Sequence, residues 1–360
     1  MKTFLAGYGF DKALPPLSSL FSRWDAPHYL DIAKIGYTSE NLPPPYNDQH
    51  LFIVFYPLFP ALTALLSLLL GNVFNAATVL SWVCLAGACY VLYRLAMLDA
   101  DKRESRRAVK FLLIFPTAVF LGAPYTESLF LLLSALCLYA LRKRKWWLAG
   151  IAGFFAALTR NLGALLALPF LMEILDASGL FADWKKLRTG RFWLDLIKFG
   201  AWALLIPLAV GVYLVINQVV YGDPFMFLKI QDNWWHQHAQ PFWDTVLTTW
   251  QCLTGGTSPD DKAFLWFPQM LGMVAVLISL PFMARRLRPS YTAYLVAYIA
   301  VALSPSWLLS YNRYMMGAVP LLLGIAALTR RKWADTALTI VFAAAMLFLA
   351  AGFLMWKSVY

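Results

Sequence analysis

The stretch TESLFLLLSALCLYALRKRKWWLAGIAGFFAALTRNLGALLALPFLMEIL, residues 126–175, decides the class of fold. It holds three apolar runs, 126–141, 146–159 and 161–175. They are parted first by the basic cluster Arg142-Lys143-Arg144-Lys145 and then by one cation, Arg160. Each run falls short of the roughly 20 residues of a full membrane crossing, so each is extended by its flanks or broken into half-helices. Repeated apolar runs with charge confined to the breaks describe a bundle of membrane helices, where every backbone polar group is satisfied within its own segment.

The pattern extends through the chain of 360 residues. Further apolar stretches lie near 73–97, 108–121, 194–220, 264–285, 290–309, 314–329 and 336–356. Apolar residues make up 61% and charged residues 14%, against about a quarter charged in soluble domains, and mean hydropathy is +0.61. An ordinary soluble protein and a disordered one are both excluded. Length alone suggests two domains, but the spans read as a single integral membrane domain, 1–360. The net charge of +11 resides in short clusters between spans. That is a membrane-orientation pattern, so the lipid bilayer is the expected partner and nucleic acid is not. Cys84, Cys89 and Cys137 lie in apolar spans and Cys252 in a polar stretch, giving no disulfide framework and no zinc pattern. Asp11, Lys12, Pro15 and Pro16 interrupt the first twenty residues and read against a cleavable signal peptide.

Five clusters set the orientation: Lys102 to Lys110, Arg142 to Lys145, Lys185 to Lys198, Arg285 to Arg288, and Arg330 to Lys332. They hold 20 of the 30 basic residues. With ten crossings at the stretches above, all five fall on one side, which the positive-inside rule makes the cytoplasm. The other side receives 1–72, the turns near 122–125, 160 and 310–313, and a second outer loop, 221–263. Segments 21–50 and 221–263 carry nine of the 19 acids and all four histidines. Residues 51–71 (LFIVFYPLFPALTALLSLLLG) are apolar, yet as a crossing they would invert every later loop. Pro57 and Pro60 would also break a helix near its start. They are therefore assigned to the outer membrane surface as an interfacial segment, with a crossing as the alternative. The domain then divides into a first outer loop at 21–50, the interfacial segment 51–71, central helices at 73–220, the loop 221–263, and C-terminal helices at 264–356.

An ionisable side chain at membrane depth costs about 2.5–3.5 kcal/mol on insertion scales, so each invites a functional reading. Glu127, Arg160 and Arg313 interrupt apolar sequence at outer-side turns, and Arg23-Trp24-Asp25 lies in the first outer loop. Two guanidiniums at headgroup level suit the phosphate of a lipid-linked sugar. A carboxylate suits the proton of an attacking hydroxyl, and the arginines would stabilise charge on the departing phosphate. Guanidiniums in that role need no metal, and no cofactor is implied. Each residue also has a plainer use. Asp25 could be solvated or cap the helix that follows it, Pro27 suiting a first turn. The arginines could snorkel, and Glu127 could simply pair with one. Asp31 reads as a solvated face. His236-Gln237-His238 lacks matched metal ligands nearby, and Trp234, Trp235, Phe242 and Trp243 read as an interfacial belt.

Six blocks then carry a resemblance: SRWDAPHYLDIAKIGY, FYPLFP, FPTAVFLGAPYTESLFLLL, WWLAGIAGFFAALTRNLG, YGDPFMFLKIQDNWW and SYNRYMMGAVP, in that order. From about residue 22 to about 325 the chain resembles the PIG-V-like mannosyltransferases, relatives of GPI mannosyltransferase II within the C-type (GT-C) glycosyltransferase superfamily. The resemblance implies an all-α polytopic bundle of roughly ten or eleven transmembrane helices whose outer-face loops carry the active site. It implies inverting transfer of a sugar, typically mannose, from a polyprenyl-phosphate donor to a glycan or lipid-linked acceptor on the non-cytoplasmic face of a bacterial or archaeal plasma membrane. Asp25, after Trp24, takes the place of the superfamily's base. The family's further blocks fall on Tyr125, Thr126, Glu127 and Ser128, on Thr159 and Arg160, on Gly222, Pro224 and Gln231, and on Arg313 and Tyr314. Asp25 and Glu127 are thus the expected catalytic residues. Trp24, His28, Tyr125, Arg160, Gln231, Arg313 and Tyr314 are the expected substrate-binding ones. The superfamily places a transmembrane helix before its first outer loop, where this sequence has only the interrupted residues noted above. A transporter or flippase of a lipid-linked sugar is the alternative from another class. It would need charges along a two-sided path near the bilayer midplane, whereas the acids here gather in outer loops.

Overall fold

Caps and left-handed turns set the helix boundaries of a computed structural model that describes residues 17–40 and 49–359. Asp11, Lys12, Pro15 and Pro16 lie outside the described residues. In chain order the helices are α1 (Leu17–Phe21), α2 (Ala26–Ile35), α3 (Leu58–Leu70), α4 (Val73–Ala96), α5 (Lys102–Leu113), α6 (Glu127–Arg142), α7 (Trp146–Ala157), α8 (Ala167–Ala177), α9 (Gly190–Ala203) and α10 (Leu205–Tyr221). They continue with α11 (Met226–Trp235), α12 (Phe242–Thr254), α13 (Phe267–Ala284), α14 (Pro289–Ala302), α15 (Tyr311–Gly317), α16 (Val319–Leu328) and α17 (Lys332–Leu354). Asn72 caps α4 by accepting the Asn75 N–H, and Asp101 caps α5 by accepting the Glu104 N–H. Gly71, in the left-handed region, closes α3.

Among the described residues four helical segments are long and apolar enough to cross a membrane: Val73–Ala96, Gly190–Tyr221, Pro259–Ala284 and Lys332–Leu354. Their large apolar side chains point outward, with Ile197, Val219, Ile278 and Ile340 all exposed. Such a surface is stable against lipid and not against water. Helices α6 and α16 are instead buried nearly all round and form the centre. Helix α4 packs on both α3 and α6, and α7 lays a small-residue face, Ala149, Ala152 and Ala156, into the core.

Three sequence expectations change. The apolar stretch 108–121 is not one span: α5 is amphipathic and ends at Leu113, ahead of Pro116, and only a four-residue turn, Val119–Gly122, follows. The loop 221–263 is largely helical, through α11 and α12. Pro57 and Pro60 do not break a helix, because α3 begins at Leu58 and so places Pro60 in its first turn, where the missing N–H is harmless.

The basic clusters converge at one end of the bundle. Arg330 Nε meets Glu104 Oε2 at 2.7 Å, Lys110 pairs with Asp335, and Arg142 with Asp99. Arg288 reaches Glu173 at 3.3 Å, and Lys186 donates to the Ser178 carbonyl. Three segments run from this end to the turns that carry Glu127, Arg160 and Arg313: α6, residues 161–177, and α15 with α16. At 1.5 Å per residue, the sixteen residues of α6 separate the two ends by about 23 Å.

Candidate active site

Each charged group at the far end is delivered by a helix boundary. Asp25 occupies the N-cap position of α2, yet its carboxylate makes no capping bond. Its Oδ2 instead accepts from Arg313 Nη2 at 2.7 Å. Glu127 is the first residue of α6, where the helix dipole favours a carboxylate. Arg160 stands in the extended break after α7. That break is tight: a Cβ on Gly163 would lie 2.4 Å from the Ala156 backbone, so only glycine fits. Arg313 lies in the first turn of α15.

Together the four form an alternating chain. Glu127 Oε1 receives Arg160 Nη1 at 2.5 Å and lies 3.0 Å from Arg313 Nε, the latter an ion pair rather than an aligned hydrogen bond. Arg160 Nη1 also reaches Thr126 Oγ1 at 3.3 Å. Aromatic faces hold both cations: Arg160 lies 4.7 Å from the Tyr314 ring centre, and Arg313 lies 5.2 Å from Phe120 and 5.5 Å from Tyr125. Both arginines are buried rather than snorkelling, and Glu127 is 2% exposed. Burial of that kind is tolerable because each charge has an opposite neighbour.

An open cavity of about 130 Å³ lies over this chain, and Asp25, Arg160, Gln231, Arg313 and Tyr314 line it. Glu127 and Tyr125 sit beneath, outside the lining; Tyr125 Oη donates to the Arg23 carbonyl at 2.6 Å. Trp24 and His28, expected at the substrate, do not line the cavity. Trp24 packs on Trp356, with ring centres 5.7 Å apart, and His28 stacks on Phe55 at 4.9 Å. Trp235, read as part of an interfacial belt, lines the cavity, as do Tyr29, Asn161, Gln237 and Ser310. None of these last four was singled out in the sequence, although Tyr29, Asn161 and Ser310 fall within the six blocks and Gln237 lies between two histidines. Gln237 is held by Gln231, whose Nε2 donates to it at 2.9 Å. Asp31 pairs with the neighbouring Lys34. His238 faces Asp232 at 3.3 Å.

A two-cation wall and a partly exposed carboxylate can bind an anion and accept a proton from a hydroxyl group. A guanidinium carries five donors, so the contacts above leave capacity for an anion.

The family model described as Mannosyltransferase (PIG-V) matches residues 12–229, more than half of the chain. The chain belongs to this family. It is a multi-pass integral membrane protein, as the family implies. The match includes Asp25, Glu127 and Arg160 but ends before Gln231, Arg313 and Tyr314, short of the extent expected from the sequence blocks. GPI alpha-1,6-mannosyltransferase 2 of Mus musculus is 32% identical over 174 residues, covering 45% of this chain and 33% of that protein. The Homo sapiens protein of the same name is 31% identical over 181 residues, covering 47% and 34%. The chain thus matches about a third of the length of these curated relatives. Among solved structures, the apo oligosaccharyltransferase of Archaeoglobus fulgidus aligns with 85% of this chain and 48% of its own, at 15% identity and a TM-score of 0.46.

Proposed function

We propose that this PIG-V family member moves a hexose, in the first instance mannose, from a polyprenyl-phosphate donor to a hydroxyl of a glycan or lipid-linked acceptor, with inversion. The reaction would take place at the end of the bundle away from the basic loops, the non-cytoplasmic face of a bacterial or archaeal plasma membrane. The names of the relatives favour mannose. The observation that carries the reading is that Asp25 and two guanidiniums share one cavity, with Asp25 the only one of the two carboxylates at its lining.

In this reading the acceptor oxygen attacks the anomeric carbon opposite the phosphate. The new C–O bond forms as the bond from that carbon to the phosphate oxygen breaks, and the electron pair leaves on the phosphate. The hydroxyl proton passes to the Asp25 carboxylate. Arg160 and Arg313 hold the phosphate and offset the charge it gains, with Tyr314 backing Arg160. Glu127 orients both arginines and does not touch substrate. Gln231 and Gln237 offer amide groups to sugar hydroxyls. The bundle would span the bilayer with roughly ten or eleven helical segments in the GT-C manner, with 51–71 along the outer surface. A carrier would need charges along a two-sided path; confinement of this cluster to one end of the bundle favours transfer.

The test is mass spectrometry of products from purified protein given a panel of polyprenyl-phosphate sugars and candidate acceptors. The expected result is an acceptor heavier by one hexose, with mannose the preferred donor. No product from any pair would overturn the assignment.

A further inference from the structure

Residues Arg23 and Trp24 have a use that substrate contact does not explain. Arg23 is 3% exposed, and among the described residues its side chain bonds backbone carbonyls: Nε to Leu20 O and Nη1 to Phe353 O, both at 2.8 Å. Its guanidinium also lies 4.4 Å from the Trp356 ring centre. Phe353 O is among the last carbonyls of α17, a helix end that lacks intrahelical donors and carries partial negative charge. A cation there caps the helix. The main chain of Arg23 is fixed as well, because its carbonyl accepts the Tyr125 hydroxyl at 2.6 Å.

The next residue, Trp24, has φ 52°, a left-handed conformation unfavourable for a bulky side chain. Such a conformation persists only where its surroundings over-determine it. Here they do: the Trp24 indole packs edge-on against Trp356, itself left-handed at φ 60°. That turn sets the direction in which Asp25 leaves the loop toward Arg313. The carboxyl end of the chain therefore touches the loop that bears the proposed base, although 331 positions separate Asp25 from Trp356.

We propose that Arg23 and Trp356 are positioning residues for Asp25: the end of α17 clamps the turn at Trp24 and so fixes the carboxylate against Arg313 and the cavity. The proposal rests on the transfer reaction above. It also gives the C-terminal segment, outside the matched residues 12–229, a part in turnover.

The experiment compares the unsubstituted chain with Trp356→Ala, Trp356→Phe and Arg23→Lys in lipid nanodiscs. Donor KM and kcat are measured, with hydrogen exchange of the amides at 22–30. A displacement of about 1 Å at a reacting group costs on the order of 100-fold. Trp356→Ala is therefore expected to lower kcat about 10- to 100-fold and to leave donor KM within about twofold, because the arginine wall is untouched. Exchange at 22–30 should accelerate while that at 285–330 holds. Trp356→Phe keeps a ring and should restore most of kcat. Arg23→Lys keeps the charge but loses the fork that spans both carbonyls, and should fall between. Unchanged kcat in Trp356→Ala, or faster exchange throughout the chain with no rescue by phenylalanine, would overturn the proposal. Should the unsubstituted chain transfer no sugar, the reaction assignment fails separately. The exchange arm then decides the clamp alone, and unchanged exchange at 22–30 overturns it.

Discussion

Arg313 Nη2 lies 2.7 Å from Asp25 Oδ2, although 288 positions separate the two residues. The pair joins the start of α2 to the first turn of α15. Arg313 also faces Glu127, so one guanidinium ties a carboxylate at the cavity to a carboxylate beneath it.

Among the described residues Glu127 is the only anion that pairs with both arginines, and its loss leaves Asp25 facing Arg313 and no carboxylate facing Arg160. Breaking a buried pair by removing one partner costs about 3–5 kcal/mol. Glu127→Gln should therefore lower the thermal unfolding midpoint in detergent markedly and impair donor binding as the arginines shift. An unchanged midpoint would show that the pairing is not holding this end together.

Much of this cluster was legible because charge in an apolar run is costly and therefore conspicuous: Glu127, Arg160 and Arg313 stand out from sequence alone. Their gathering followed from orientation, since the five basic loops fix which turns share an end. Trp24 and His28, close to Asp25 in sequence, lie outside the cavity lining for a physical reason. The family resemblance implied that Trp24 and His28 face the substrate, but the left-handed φ of Trp24 turns its indole toward Trp356 and His28 stacks on Phe55. Hydropathy likewise merged 108–121 into one span, because a window of mean hydropathy sees neither the polar face of α5 nor the stop at Pro116. Gln237 and Trp235 reach the cavity through the fold of 221–263, where a polar loop was expected and helices form.

Gly272 on α13 offers a test of how Arg313 is aimed. Asn312, its neighbour, is held by Pro268 O at 2.6 Å and by Gln269 Oε1 at 2.9 Å, against the space left by the glycine. A Cβ there would lie 1.8 Å from Asn312 Oδ1. Gly272→Ala should force Asn312 and the start of α15 to move, costing about 1–3 kcal/mol, with a rise in donor KM as Arg313 is displaced. Steady-state kinetics and thermal unfolding on one preparation would show both effects or refute the link.

At the opposite end, the Arg330–Glu104 pair is a contrasting case. The arginine side chain is 55% exposed while that of Glu104 is 11% exposed, and an ion pair open to solvent on one side contributes about 1 kcal/mol. Arg330→Ala should shift the unfolding midpoint only slightly and leave kcat and KM for sugar transfer at the unsubstituted values. A large loss of activity would mean that the two ends of the bundle are coupled.

The central claim is that the Asp25 carboxylate receives the acceptor proton, and single-turnover transfer from a polyprenyl-phosphate mannose by purified Asp25→Asn tests it most directly. The amide keeps an oxygen for Arg313, so the fold and donor binding should persist. The transfer rate should fall by about 100- to 10,000-fold, the usual contribution of a general base. Transfer at a near-normal rate, with the donor bound as before, would contradict the account.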